Sequence, residues 1–94
     1  MNSILQEKKE CYKCQTTYDL HSHHCMGGTA NRKLSEEYGL KIWLCSRHHN
    51  MSNAGIHFDR DFELEVKQMA QQKAMEHYGW SVEDFIKKFG KNYL

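Results

Sequence analysis

The sequence predicts a small α+β domain, in which two short strands with a helix between them pack against two C-terminal helices. Three observations favour this class. The 94 residues suffice for one domain. Two stretches in the first half have strand composition. The last third carries two amphipathic helical patterns, and the chain has no proline to interrupt them.

Each element of the first half has a local signal. Residues 1–10 are expected to form a frayed or helical lead-in. Apolar and polar residues alternate over part of 18–26, which predicts a strand ended by Gly27-Gly28. Residues 31–38 have helical composition, and Gly39 is well placed to stop that helix. Residues 42–44 predict a second strand that runs into Cys45.

The second half is expected to be helical. A short helix begins near Arg47 and is broken at residues 53–55. Residues 59–78 form the longest helical pattern, with acidic residues in its first turn and Gly79 at its end. Ser81-x-x-Asp84 approximates a capping box that opens a final helix. The predicted buried faces are Phe62, Val66, Met69 and Ala70 on the long helix, and Val82, Phe85, Ile86 and Phe89 on the last.

Two ligand pairs have the spacing of a structural zinc site. Cys11-x2-Cys14 and Cys45-x2-His48 each place two soft ligands in a tight turn, and two such turns can complete a tetrahedron around Zn²⁺. His49 is the alternative fourth ligand, although two intervening residues are the usual spacing and favour His48.

The cysteines favour zinc over disulfides. The N-terminus lacks the apolar core of a signal peptide, and no stretch approaches a transmembrane span. We therefore expect a cytoplasmic protein without a membrane partner, in which Cys-x2-Cys binds metal. Cys25 is expected to be a small buried hydrophobe. Because the first half is largely polar, we expect it to be unfolded or molten without zinc.

Charge does not by itself indicate a nucleic-acid binder, since the net charge is only +1. Any contact with nucleic acid must come from local basic patches. In the first half these patches contain Lys8, Lys9, Lys13, Arg32, Lys33 and Arg47.

The histidines indicate a second metal site. The chain has seven histidines, and a zinc site that uses His48 leaves His23, His24, His49 and His57 free for other duties. Neutral imidazoles suit transition metals and leave coordination positions open, and a nearby non-ligand histidine can accept a proton from water. Strand alternation would point His23 and His24 to opposite faces, so both serve one site only if the strand ends or bulges there. The role of His21 is left open.

The pattern resembles the HNH endonucleases, also called ββα-metal or His-Me finger nucleases. Five short segments are similar to motifs of the small zinc-knuckle HNH proteins of bacteriophages and prophages. In chain order they are HH, GG, NRK, LC-x2-HH and GIHF. The resemblance covers Cys11 to His57. It implies a single domain with a ββα-metal core over about residues 11–58 and a helical extension over about 59–94.

The resemblance also implies roles for the histidines. His23, His49 and His57 would bind a catalytic divalent metal, either Mg²⁺, Mn²⁺, Ni²⁺ or Zn²⁺. His24 would be the general base that activates water. His57 is displaced from the family's usual position by the insert NMSNAGI.

Two further roles follow from the resemblance. Asn31 would hold the base histidine or its loop, with Asn50 and Asn53 as alternatives. Arg32 would contact the scissile phosphate.

The expected function is metal-dependent hydrolysis of DNA phosphodiester bonds with low sequence specificity. The expected partners are DNA and either a second copy of the chain or a phage packaging or recombination protein. The alternative is a non-catalytic zinc-knuckle module that binds DNA or acts as an adaptor. A second, exchangeable metal would favour the nuclease over this module.

Overall fold

The computed structural model describes residues 3–51 and 55–94, and for residues 50 and 51 only the backbone. The described chain is a small α+β structure with one two-stranded antiparallel sheet, so the predicted fold class is confirmed at that level. The elements are β1 (Leu20–His24), α1 (Thr29–Tyr38), β2 (Lys41–Cys45), the π-helical turn Arg47–Met51, α2 (Arg60–Tyr78) and α3 (Val82–Phe89).

The register of the sheet decides which side of it each histidine of β1 occupies. The pairs are Leu20 with Cys45, His21 with Leu44, Ser22 with Trp43, His23 with Ile42, and His24 with Lys41. Residues directly opposite in an antiparallel pair share a face, and successive residues alternate. His21 and His23 therefore lie on the face of the buried Ile42 and Leu44, whereas His24 belongs to the other face.

Helix α1 closes the connection between the strands. It begins at Thr29, two residues before the predicted start, and ends where expected. Gly39 takes a left-handed conformation (φ 73°), and its N–H donates to the Ser35 carbonyl, which stops the helix. The buried Ser35 hydroxyl also bonds with the backbone of Met26, and so fixes α1 to the chain just beyond β1.

Residues 1–10 were predicted to be a frayed or helical lead-in. This prediction is wrong for the described part, residues 3–10, which are neither frayed nor helical. Ile4 N–H donates to the Gly39 carbonyl at 3.0 Å, and Trp43 N–H donates to the Gln6 side-chain oxygen at 2.9 Å. Tyr12 N–H then donates to the Trp43 carbonyl at 2.8 Å. The segment follows the free edge of β2 and satisfies backbone groups that would otherwise be unpaired.

The long helix α2 begins and ends as its sequence predicts. The Asp59 carboxylate accepts from Phe62 N–H at 3.1 Å, and the left-handed Gly79 ends the helix. Phe62, Val66 and Ala70 are buried, as expected, while Met69 is only partly buried. The buried residues of α2 are Phe62, Val66, Ala70, Gln71 and Ala74.

The final helix α3 has the predicted capping box but a narrower buried face. Ser81 and Asp84 exchange side-chain to backbone bonds at 3.1 and 3.0 Å. Phe85 and Phe89 are buried, whereas Ile86 is 39% exposed, so its predicted place on the inner face is wrong. Ile86 lies one residue beyond Phe85, about 100° around the helix, which turns it away from the core.

One hydrophobic core joins the two halves of the chain. Residues from the first knuckle, β2, α2 and α3 belong to the same buried cluster. The buried members are Cys11, Cys25, Met26, Leu40, Ile42, Leu44, Cys45, Ile56, Phe62, Val66, Ala70, Ala74, Phe85 and Phe89. No helix within the described ranges is both long and apolar enough to span a bilayer.

Candidate metal centres

Three thiols and an imidazole meet in one place, here called the thiolate cluster: Cys11, Cys14, Cys45 and His48. The Cys14 and Cys45 sulfurs are 3.8 Å apart, and His48 Nδ1 lies 3.2 Å from Cys45 Sγ and 3.7 Å from Cys11 Sγ. Tetrahedral zinc requires about 3.8 Å between two sulfurs and about 3.6 Å between sulfur and nitrogen. The thiolate cluster could therefore hold a metal ion such as zinc.

Local backbone geometry shapes the first ligand pair. Gln15 N–H donates to the Cys11 carbonyl and Cys11 N–H donates to the Thr16 carbonyl, both at 2.8 Å. Gln15 adopts a left-handed conformation (φ 62°) that reverses the chain. The resulting tight turn directs the two side chains of Cys11 and Cys14 to the same point.

The protonation of the thiols also suits a cation. Burial alone would raise the pKa of Cys11, but hydrogen bonds from the backbone of Cys45, Cys14 and Lys13, and from His48, lower it to about 6. Burial and the neighbouring thiols raise the pKa of Cys45. A cation between the sulfurs would offset the repulsion between neighbouring thiolates, and so favour the thiolate form of both residues.

The structure separates His48 from His49. His48 is buried within the thiolate cluster, whereas the ring of His49 belongs to a second group of donors. Consecutive side chains of a helical turn point in different directions, so one turn can supply neighbouring residues to two sites. The geometry places His48 as the fourth donor of the first group.

Three imidazoles form that second group, here called the histidine cluster: His23, His49 and His57, with one nitrogen of each within 4.8 Å of the others. His49 Nε2 and His57 Nε2 are 3.2 Å apart. Two nitrogens bound to one tetrahedral zinc lie about 3.3 Å apart. The donors are thus spaced closely enough to share an ion.

Two imidazoles of this cluster, those of His23 and His49, have a lowered pKa and so favour the neutral form. Burial, followed by the nearby His49, His57, His24 and Lys67, lowers the pKa of His23 to about 3. Burial and the neighbouring His57 and His21 lower the pKa of His49. A neutral ring offers the lone pair that a metal requires, so the donor set fits a divalent ion.

Backbone contacts return His57 to the site despite the insert before it. Ile56 N–H donates to the His48 carbonyl at 2.8 Å, and His57 N–H donates to the His49 carbonyl at 3.4 Å. Ile56 is buried in the core and anchors this return. The insert therefore leaves the His57 ring 4.7 Å from the His49 ring, measured between centroids.

Glu36 holds the residue predicted to be the base. His24 Nε2 lies 3.0 Å from Glu36 Oε2, and Lys41 Nζ lies 2.9 Å from Glu36 Oε1. Hydrogen bonds from Lys41 and then His24 lower the pKa of Glu36 to about 2. An ionised carboxylate can only accept, so His24 donates from Nε2, and in a neutral ring Nδ1 is then the acceptor.

Asn31 does not have its expected position beside the base. Its side-chain amide donates to the Phe89 carbonyl at 3.2 Å, and so joins α1 to the end of α3. The side chain that contacts His24 is Glu36, because the α1 backbone turns Asn31 toward the C-terminal helix. Of the alternatives, Asn53 and the side chain of Asn50 lie outside the described residues.

One open cavity of about 410 Å³ brings together His24, Arg32 and the three predicted ligands of the second metal, but not Asn31. Its walls are Ser22, His23, His24, Gly27, Gly28, Arg32, His49 and His57. His23 and His24 both reach it because β1 ends at His24 and the chain then bends. Arg32 is exposed on α1 at the same wall.

Two contacts of the site were missed by the sequence. His21 Nδ1 lies 3.0 Å from His49 Nδ1, and Glu36 contacts His24. The two-residue spacing of His21 and His23 on one strand could have indicated that they share a face. The Glu36 contact depends on how α1 is placed beside the sheet, which no local pattern specifies.

Comparisons of the chain with protein-family models, with curated proteins and with solved structures found no match. The resemblance to HNH endonucleases therefore stays a hypothesis based on the motif residues. What the chain can do chemically has to be inferred from its own two clusters.

Proposed function

We propose that this protein is a metal-dependent endonuclease of the HNH type that hydrolyses phosphodiester bonds of DNA. One observation carries the proposal. A single open cavity combines the three-imidazole histidine cluster with His24, whose Nδ1 is an acceptor, and with the cation of Arg32. An anionic ester that enters this cavity meets a cation, a base and a metal-binding set of donors.

The thiolate cluster has a structural part in this proposal. Four protein donors complete a tetrahedron, and zinc sites closed in this way are structural. Zinc there would join the first knuckle to the end of β2. It would thereby hold the turn that supplies His49.

In this proposal, the histidine cluster is the metal site with open coordination positions. Three donors leave positions for a phosphate oxygen and water, and the bound ion would stabilise the charge that develops on phosphate and on the leaving oxygen. Imidazole nitrogen favours borderline transition metals over hard ions. Among Mg²⁺, Mn²⁺, Ni²⁺ and Zn²⁺, this donor set fits Ni²⁺ and Zn²⁺ best.

His24 supplies the base. Glu36 accepts its Nε2–H, so Nδ1 can take the proton of an attacking water. The carboxylate also lies where it stabilises the positive charge that His24 acquires on protonation. Glu36 in turn is held on its other oxygen by Lys41, which fixes the direction of the pair.

Arg32 supplies the phosphate contact. Its guanidinium can donate two parallel hydrogen bonds to phosphate oxygens. Lys33, Thr29 and the carboxylate of Glu36 line a neighbouring surface depression with Arg32 and His24. A sugar-phosphate backbone along this face of α1 would be positioned without being read for sequence, which is consistent with low specificity.

The proposal extends to partners and location. A double-strand break needs two cuts, so two copies of the chain, or one copy with a phage packaging or recombination partner, would act together. Reduced thiols are needed at the thiolate cluster, which favours the cytoplasm of a bacterial host.

A plasmid-nicking assay tests the proposal. Protein stripped of metal and replenished with one equivalent of zinc is mixed with supercoiled DNA, and Mg²⁺, Mn²⁺ and Ni²⁺ are added in turn. We expect relaxation by wild type and a rate about 10²–10⁴ lower for His24→Ala, because the base is lost. His77→Ala, which removes an exposed histidine at the end of α2, is the matched control and should nick as wild type.

Two outcomes would contradict the assignment. Equal nicking by His24→Ala and wild type would remove His24 as the base. No nicking under any metal, with zinc bound and the fold intact, would favour the non-catalytic DNA-binding or adaptor module.

A further inference from the structure

His21 lies directly behind His49 at the margin of the histidine cluster. The Nδ1 atoms of the two rings are 3.0 Å apart, and the rings meet edge to face with centroids separated by 5.1 Å. His21 is not among the three grouped donors. We propose that His21 is a positioning residue, which orients His49 and fixes its tautomer for metal binding. This inference rests on the proposed function, because it needs an ion in the cluster.

The two nitrogens of His49 face different partners. Nε2 points into the cluster, 3.2 Å from His57 Nε2, while Nδ1 faces His21. An ion on Nε2 leaves the one proton of a neutral imidazole on Nδ1. That N–H then donates to His21 Nδ1, so His21 carries its own proton on Nε2.

The acceptor is held rigidly. His21 stands on β1 opposite the fully buried Leu44, and His23 follows two residues later on the same face. Strand β1 thus supplies His23 as a donor to the cluster and His21 as the contact that supports His49. An outer hydrogen bond of this kind fixes ring orientation and raises the basicity of the bound nitrogen.

The test is a calorimetric titration with Ni²⁺ of protein already replenished with one equivalent of zinc. His21→Phe keeps the ring volume but removes the acceptor, and we expect the Ni²⁺ affinity to fall about 10–100-fold. His21→Asn places a carbonyl oxygen near the former Nδ1 position, and should restore the affinity to within a few-fold of wild type. Zinc content and circular dichroism report whether each variant is folded.

The outcomes separate this inference from the proposed function. A wild-type chain that binds neither Ni²⁺ nor a second Zn²⁺ beyond its first equivalent of zinc overturns both. A wild-type chain that binds Ni²⁺, with His21→Phe binding equally well, overturns the role of His21 alone. His77→Phe controls for the loss of a histidine outside both clusters and should leave the affinity unchanged.

A second measurement needs no variant. In wild-type protein loaded with a second equivalent of Zn²⁺, the ¹⁵N chemical shifts of the imidazoles report which nitrogen carries the proton. We expect the proton of His49 on Nδ1 and that of His21 on Nε2. A proton on Nε2 of His49 in the loaded protein would refute the inference, whatever the variants do.

Discussion

At the scale of single residues, the use of each histidine depends on which ring nitrogen is already engaged. Nδ1 of His49 faces His21 and Nε2 faces His57, whereas Nε2 of His24 faces Glu36. The rings have the same chemistry, and the roles of metal donor and base that we propose for them rest on these different neighbours. These contacts lead to a prediction for the carboxylate.

Replacement of Glu36 by Gln should slow nicking by at least about tenfold, but by less than the 10²–10⁴ expected for removal of the base. The amide still accepts from His24, but it lacks the charge that stabilises the protonated ring. Single-turnover nicking rates at saturating metal measure the effect. Glu37→Gln, an exposed neighbour on α1, is the matched control.

Glu36 also pairs with Lys41, so the two contacts must be separated. Lys41→Met removes the ion pair and leaves the contact with His24 possible. If Lys41→Met slows nicking as much as Glu36→Gln does, the charge beside His24 is not what matters.

At the scale of elements, the stability of the short helix α3 depends on the hydrogen bonds of its first turn and on its packing. Eight residues are too few for an isolated helix to be stable in water. The Ser81–Asp84 capping box and the stacked rings of Phe85 and Phe89, 4.7 Å apart, compensate for this. Asn31 adds a bond from α1 to the last residue of the helix.

Ser81→Ala should therefore lower the free energy of unfolding by about 1 kcal/mol, because it leaves a helix N–H without its acceptor. Urea unfolding of the zinc-replenished protein measures the change. Asp84→Ala removes the reciprocal bond, and the double variant should lose less than the sum of the two single losses. Strict additivity would show that the two bonds form independently.

At the scale of the whole molecule, the two halves share one core. The knuckle residue Cys11, the β2 residue Leu44 and the α2 residue Val66 belong to the same buried cluster. The sequence predicted that the first half alone would lose its structure without zinc. The shared core extends that prediction, since the loss of the first half would expose the buried faces of α2 and α3.

Removal of metal with a chelator should consequently unfold the entire domain. Zinc binding at sites of this type is worth about 10–16 kcal/mol in isolated finger peptides, comparable with the stability of about 5–15 kcal/mol of a whole domain. The two tryptophans lie in different halves: Trp43 is on β2, and Trp80 is between α2 and α3, where its ring also packs on Tyr38 of α1 with centroids 4.8 Å apart.

Single-tryptophan variants, Trp43→Phe and Trp80→Phe, would make this readout direct. We expect the fluorescence of both remaining tryptophans to change together as chelator is added, and to recover together with zinc. A change of Trp43 alone would show that the helical half is stable by itself.

The sequence by itself determined what depends on neighbours along the chain. Residues within one helical turn are enough to form the helix ends at Gly39 and Gly79 and the capping box at Ser81. The positions of these features were therefore predictable. The spacing of Cys11-x2-Cys14 and Cys45-x2-His48 likewise shapes each half of the thiolate cluster locally. The α+β class follows from the order of these local elements.

Only the tertiary structure decided which distant groups meet. The register of the sheet and the placement of α1 decide several contacts. They decide the path of residues 3–10 beside β2, the contact of Asn31 with α3, and the contacts of Glu36 and His21. A shift of one residue in that register would move every β1 side chain to the other face. Packing of the shared core selects one register, and with it the neighbours on which the proposed roles of the histidines rest.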